Sequence, residues 1–69
     1  MLTDKEKMMI QSFAKHNMRM KLACDELFYC RDTILYHFAK VHKKTGLNPR
    51  QFHDLAELIR LIEAEGASA

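Results

Sequence analysis

The chain has 69 residues and a formal net charge of +2. This length suffices for one small domain but is too short for a two-lobed enzyme with a deep cleft. No apolar run reaches the roughly 18 residues of a membrane span, and positions 4 to 7 are charged where a signal peptide would need charge followed by a long apolar block. We therefore expect a cytoplasmic protein that is not an enzyme and has no membrane partner.

The charge is divided unevenly along the chain. Residues 1–45 carry nine lysines and arginines against five aspartates and glutamates, a difference of +4, whereas residues 46–69 carry two against four, a difference of −2. The positive part contains the first three predicted helices. Such an asymmetry favours an anionic partner for that part of the chain.

The spacing of apolar residues predicts only helices. The chain has two glycines and one proline, no alternation typical of strands, and apolar residues that recur at intervals of three and four. We predict a compact all-α single domain over residues 1–69, with four helices at about 3–16, 20–28, 31–45 and 49–65. The inward faces of the first three helices should carry Met9, Ile10, Phe13, Ala23, Leu27, Ile34, Phe38 and Val41.

Local signals mark both ends of the first helix. Thr3 and Glu6 form a capping-box pattern, in which the Thr3 hydroxyl accepts from the Glu6 amide while the Glu6 carboxylate reaches back to the Thr3 amide. Asn17 is able to take the left-handed conformation that closes a helix.

Similar signals mark the third and fourth helices. Gly46 is placed to close the third helix. Asn48 and Pro49 predict a new start, with Asn48 as the cap and Pro49 at the first helical position, where its missing amide has no cost. The fourth helix should stop at Gly66 and leave residues 67–69 as a frayed tail.

The second and third predicted helices form a helix-turn-helix pattern, since they are joined by a tight turn and the second of the pair is basic. Cys24 lies in the middle of the first of the pair, where a small residue lets the two helices cross closely. At about 100° per residue, the apolar residues of the third helix define its core direction. The opposite side carries Asp32, Thr33, Tyr36, Ala39, Lys40 and Lys43.

This outward side suits a groove of double-stranded DNA. Lys40 and Lys43 can neutralise phosphates, Thr33 can hydrogen-bond to phosphate or base edges, and Tyr36 offers a phenol and an aromatic face. Asp32 is expected to cap its own helix, because a carboxylate near phosphates is repulsive. Four further residues are predicted to bind DNA, either from the flanks of this side or through additional phosphate contacts: Arg31, His37, Lys44 and Lys21.

Residues 27–62 read LFYCRDTILYHFAKVHKKTGLNPRQFHDLAELIRLI. This segment resembles the PucR-type C-terminal helix-turn-helix domain, a relative of the Fis-like DNA-binding fold. The likeness is carried by Leu27-Phe28, Arg31, Thr33, Ile34, Tyr36, Phe38, Val41, Thr45-Gly46-Leu47 and Asp54-Leu55. It implies a bacterial transcription-factor domain, associated with the nucleoid, in which Arg31, Thr33, Tyr36 and the basic end of that helix face DNA. Regulators of the family usually carry a large N-terminal sensory region, so we expect an excised domain or a stand-alone short form; the capped helix directly after Met1 favours the latter.

Departures from that family pattern keep other hypotheses open. Leu35 and His37 stand where arginines are frequent, and Asp32 replaces the usual asparagine. The alternative function is a protein-interaction adaptor that keeps the fold without binding DNA and uses its apolar last helix. A non-specific architectural DNA binder is a third hypothesis, and an ordinary solvated helix surface would show the same charge pattern.

The last predicted helix carries more apolar residues than one core requires. Its apolar side spans about 180°, wider than the stripe of about 100° that covers a single core. The surplus predicts a homodimer through Leu58, Leu61 and Ile62, which would place two helix-turn-helix units on an inverted repeat. The alternative is that the first and third helices of the same fold cover this helix on two sides.

The histidines and cysteines do not predict a metal site. Cys24 and Cys30 are six residues apart, and His37 and His42 differ by about 140° around one helix, so neither pair converges. We expect two free thiols, no metal, no cofactor and no small-molecule ligand.

Overall fold

Four helices make up most of the chain. The computed structural model describes residues 2–67, with side chains described as far as residue 65. The helices are α1 (Asp4–Lys15), α2 (Met20–Leu27), α3 (Arg31–Thr45) and α4 (Phe52–Ala67), and no strand occurs within residues 2–67. The predicted all-α fold with four helices is confirmed.

The predicted caps of α1 are both present. The Thr3 hydroxyl accepts from the Glu6 backbone amide at 3.1 Å, and the Thr3 amide donates to Glu6 Oε1 at 2.9 Å. After α1, Asn17 adopts the left-handed conformation with φ 57°, as predicted, and Met18 follows it with φ 65°. The Met18 amide donates to the Phe13 carbonyl at 2.8 Å, which satisfies one of the last carbonyls of the helix.

The turn between α2 and α3 has three residues and no glycine. α2 ends at Leu27, one residue before the predicted end, and Phe28 closes it in the left-handed conformation with φ 60° and ψ 34°. The Tyr29 amide donates to the Cys24 carbonyl at 3.2 Å, and Cys30 is the N-terminal cap residue of α3. An aromatic residue thus takes a conformation that costs about 1–2 kcal/mol for a residue with a Cβ atom.

The start of α4 differs from the prediction by three residues. Gly46 closes α3 as expected, with φ 79°. Asn48 and Pro49 do not begin a helix, however, because the Asn48 side chain accepts from the Arg50 amide at 3.0 Å and its carbonyl accepts from the Gln51 amide at 2.9 Å. These bonds form a turn that contains the buried Pro49. The fixed φ of proline suits both structures, and the side-chain bond of Asn48 selects the turn.

The end of α4 also differs slightly from the prediction. The helix continues through Gly66 to Ala67, because glycine can adopt the helical conformation as well as the left-handed one. Of the predicted frayed tail, residues 68 and 69 lie outside the described part of the chain.

The core is built around α1, which packs against each of the other three helices, while α2 also packs against α3. Phe13 and Phe38 meet edge to face with their ring centroids 5.2 Å apart. Of the predicted inward residues only Leu27 is half-buried rather than buried, as is Cys24. The buried apolar residues are Leu2, Met9, Ile10, Phe13, Ala23, Ile34, Phe38, Val41, Leu55, Leu58 and Ile62.

This core corrects the predicted dimer interface. Leu58 is fully buried and Ile62 almost so, since both pack into the core of their own chain. Of the three candidates only Leu61 is exposed. Within the described residues, no helix is both long and apolar enough to cross a membrane.

Candidate nucleic-acid interface

The outer side of α3 is exposed because its opposite side is buried. Ile34, Phe38 and Val41 hold one side of the helix in the core. Most of the residues predicted on the other side are therefore exposed. Those exposed to solvent are Arg31, Asp32, Tyr36, Ala39, Lys40 and Lys43, and Lys21 is exposed on α2.

The distribution of ion pairs leaves most of the positive charge of α2 and α3 without an acidic partner among the described residues. Within the described residues, salt bridges engage Lys7 with Glu65, Lys15 with Glu26, Lys44 with Glu6 and Arg60 with Glu57. Five cations of the segment from Arg19, the residue before α2, to the end of α3 have no acidic partner within 4 Å among residues 2–65: Arg19, Lys21, Arg31, Lys40 and Lys43. Positive charge that is not used inside the protein is available to an anionic ligand.

Tyr36 and Lys40 form a preorganised pair on this surface. Lys40 lies one turn after Tyr36, and its Nζ is 5.4 Å from the centroid of the Tyr36 ring. The ring of half-buried His37 contacts Tyr36 edge to face, with centroids 5.3 Å apart. A cation over an exposed aromatic ring contributes about 0.5–1 kcal/mol, enough to bias where the Lys40 ammonium lies without fixing it.

Thr33 is less available than predicted. It is half-buried, and its hydroxyl lies 3.1 Å from the Cys30 sulfur. Bonds from the Thr33 hydroxyl and the Thr33 backbone amide lower the pKa of the exposed Cys30 thiol, since both favour the thiolate. The hydroxyl of Thr33 therefore belongs to the first turn of α3 as much as to its outer surface.

Asp32 does not cap α3, contrary to prediction. Cys30 is the N-terminal cap residue, and Asp32 lies inside the first turn of the helix. A carboxylate in that turn still stabilises the helix through the dipole, because the first amides carry partial positive charge. Asp32 is exposed and places one negative charge beside Arg31 on the candidate surface.

Lys44 is exposed, but its ammonium group pairs with a buried carboxylate of its own chain. Its Nζ donates to Glu6 Oε1 at 2.8 Å, and that carboxylate is only 2% exposed. Burial alone would raise the pKa of Glu6, but the bonds from Lys44 and the Thr3 amide and the nearby charges of Lys44 and Lys40 outweigh it, so the pKa lies below its usual value. This ion pair ties the end of α3 to the start of α1 and competes with the predicted phosphate contact of Lys44.

A second polar cluster joins α2 to α1. Glu26 accepts from the Ser12 hydroxyl and from Lys15 Nζ, both at 2.6 Å, and lies 3.1 Å from His16 Nε2. The bond from Lys15, followed by those from Ser12 and His16, lowers the pKa of Glu26 to about 2. The cluster fixes the position of α2 on α1, which serves as the scaffold helix of the fold. The sequence did not predict the cluster because Glu26 lies ten or more residues from each of its partners.

The sequence did not lead us to predict that Arg19 and the start of α2 belong to the candidate interface. Arg19 is the cap residue of α2, makes no side-chain bond to the helix amides, and is followed by no acid in the first turn. Helix amides left without a side-chain cap attract anions, and Arg19 and Lys21 add full positive charges there. The signal was present in the sequence as a basic residue directly before a predicted helix start.

Comparison with protein families, with curated proteins and with solved structures finds no match to this chain. Within the described residues, no group of three histidine, cysteine, aspartate or glutamate side chains is arranged to hold a metal ion. Cys24 and Cys30 are free thiols, and burial, with the charge of Asp25, raises the pKa of the half-buried Cys24.

Proposed function

We propose that the protein binds double-stranded DNA through a helix-turn-helix formed by α2 and α3, and that it acts as a sequence-specific transcriptional regulator. The observation that carries the proposal is the set of five unpaired cations on this one unit, described above. The unit also contains Asp25 and Asp32, which have no cationic partner among residues 2–65, so its excess is three positive charges. DNA, with two phosphates per base pair, is the anionic polymer that such a surface attracts.

The two helices have different roles in this proposal. α3 enters the major groove, where Arg31 and Tyr36 reach base edges and Lys40 and Lys43 contact phosphates. α2 lies across the backbone, and its uncapped amides, together with Arg19 and Lys21, hold a phosphate. His37 supports phosphate binding when protonated.

The resemblance of residues 27–62 to PucR-type domains supports the same proposal. It implies a bacterial transcription factor that works at the nucleoid. It also assigns the contact with DNA to the same helix that carries the exposed Arg31, Tyr36 and Lys40.

The test is fluorescence anisotropy with a mixed pool of duplex DNA over a series of salt concentrations. Binding should weaken steeply with salt, and Lys40→Ala should reduce the slope of log affinity against log salt by about 0.9, the value for one lost phosphate contact. Arg60→Ala is the matched control, since it removes one positive charge from α4 and should leave the slope unchanged. If wild-type protein does not bind at low salt, or if the two variants behave alike, the proposal is wrong.

Phe28 supports a second candidate, a protein-interaction adaptor. Its ring is 93% exposed, in the turn between α2 and α3, and large exposed aromatic residues are enriched at protein interfaces. The adaptor predicts a specific protein complex that Phe28→Ala abolishes, and no binding of duplex DNA at physiological salt. A non-specific architectural binder would instead bind every sequence in the anisotropy assay with the same affinity.

A further inference from the structure

An apolar groove runs along one side of α4 and is open to solvent among the described residues. Its floor and α4 wall consist of Leu55, Phe52, Ala56 and Ile59, and the facing wall comes from the end of α1 and the turn after it. The groove has a volume of about 350 Å³. Since an apolar cavity of about 150 Å³ accommodates benzene, the groove has room for an aromatic side chain from a partner.

The groove continues into a stripe of α4 in which Phe52, Ala56 and Glu63 are exposed and Ile59 is half-buried. Phe52, Ala56, Ile59 and Glu63 lie within about 60° of one another around the helix, roughly 100° from the direction of the buried Leu55, Leu58 and Ile62. Phe52 is 67% exposed, although it is the largest side chain of the helix. This side of α4 differs from the dimer interface predicted from sequence, whose residues Leu58 and Ile62 are inside the core.

We propose that a second copy of this chain covers the groove, with the two α4 helices packed antiparallel across Ala56. The inference goes beyond DNA binding and stands whether or not the protein binds DNA. Ala56 is small and exposed, so two helix backbones can approach closely at that residue. Phe52 of each copy then lies over Ala56 and Ile59 of the other and enters its groove.

Charge determines the antiparallel orientation. Arg50, two residues before α4, is exposed, and Glu63, exposed in the last turns of the stripe, is equally without an ion-pair partner among residues 2–65. Antiparallel packing brings Glu63 of one copy to the other copy's Arg50 and to the positive end of its α4 dipole. Parallel packing would instead bring Glu63 to Glu63 and Arg50 to Arg50.

The size of the stripe sets the expected affinity. A stable interface buries about 800 Å² on each partner, and a stripe of three apolar residues with a shallow groove provides less. We therefore expect a concentration-dependent dimer with a dissociation constant on the order of 10 µM.

Sedimentation velocity over chain concentrations from about 1 to 500 µM tests the proposal. Ala56→Glu places two carboxylates together at the centre of the interface and should weaken dimerisation at least about tenfold. Ala64→Glu is the matched control, because it makes the same change at an exposed position of the same helix, away from the stripe. It should leave the dissociation constant unchanged, and circular dichroism should show that both variants remain helical.

A charge exchange tests the orientation. Arg50→Glu and Glu63→Arg should each weaken the dimer about fivefold, and the double variant should regain most of the loss. A wild-type protein that stays monomeric over the whole range would overturn the proposal. So would equal effects of Ala56→Glu and Ala64→Glu, and a double variant as weak as the single variants would exclude the antiparallel arrangement.

Discussion

Removing Lys44 should destabilise the fold through the carboxylate that it leaves behind. Lys44 Nζ donates to Glu6 Oε1 at 2.8 Å, the Glu6 side chain is 2% exposed, and that of Lys44 is 34% exposed. Loss of one partner from a fully buried pair costs about 3–5 kcal/mol. Because Lys44 is partly solvated and Glu6 keeps its bond from the Thr3 amide, we expect Lys44→Met to cost about 2 kcal/mol of the free energy of unfolding. That is a large fraction of a total of about 3–10 kcal/mol for a chain of this size.

The matched control is Lys43→Met, one residue earlier. Lys43 is exposed and has no acidic partner among the described residues, so the same substitution should change the free energy of unfolding by less than about 0.5 kcal/mol. Urea denaturation followed by circular dichroism at 222 nm, a standard wavelength for helix content, measures both. Equal costs for the two variants would show that the Glu6–Lys44 pair contributes nothing specific.

The pH dependence provides an independent check with a definite sign. In the wild type the pKa of Glu6 is lowered in the folded state, so the pair's contribution is present above the unfolded pKa and lost as pH falls through the folded pKa. In Lys44→Met the burial of Glu6 acts without its main counterion and favours the protonated form. The gap between the variant and the wild type should therefore be largest near pH 7 and shrink towards about pH 4. A gap that stays constant over this range would refute the role given to the Glu6 charge.

Three further outcomes are expected. Phe28→Gly should raise the free energy of unfolding by up to about 1 kcal/mol in urea denaturation, because it removes left-handed strain at an exposed position and loses only part of that gain to backbone entropy; a loss of stability would show that the ring is needed. The carboxyl of Glu26 should titrate with a pKa of about 2 in the folded protein, so its contribution to stability is lost between the unfolded pKa of 4.5 and that value, and NMR of Lys15→Ala should show the Glu26 pKa moving up. In selection from a random duplex library, Tyr36→Ala should change the preferred sequence more than it changes the salt slope, whereas the reverse result would place Tyr36 on a phosphate.

Signals that act within one turn of the chain were predictable from sequence. The Thr3–Glu6 capping box, the left-handed Asn17 and the closing Gly46 all depend on bonds between residues at most four or five positions apart. The core side of α3 was predictable for a similar reason, since helical spacing alone places its apolar residues together. These features needed no knowledge of which helix packs against which.

Features that depend on tertiary contacts were not predictable. Phe28 has no propensity for the left-handed conformation, and it adopts it in a three-residue turn between two packed helices. Lys44 looked like one more cation on a basic helix, because its partner Glu6 is 38 residues away in sequence. The Asn48 side chain could serve equally as a helix cap or within a turn, and the structure has the turn.

The two missed polar clusters share one geometric consequence for the candidate interface. Glu26 fixes α2 to the C-terminal end of α1, and Lys44 fixes the C-terminal end of α3 to the N-terminal end of α1. Both helices of the proposed helix-turn-helix are thus held on a single scaffold helix by charge as well as by the apolar core. The acids that do this are in the same half of the sequence as the excess of positive charge, and each engages a lysine that lies near α1. Arg19, Lys21, Arg31, Lys40 and Lys43 have no acidic partner among residues 2–65, so a modest net charge of +2 still leaves a basic surface on α2 and α3.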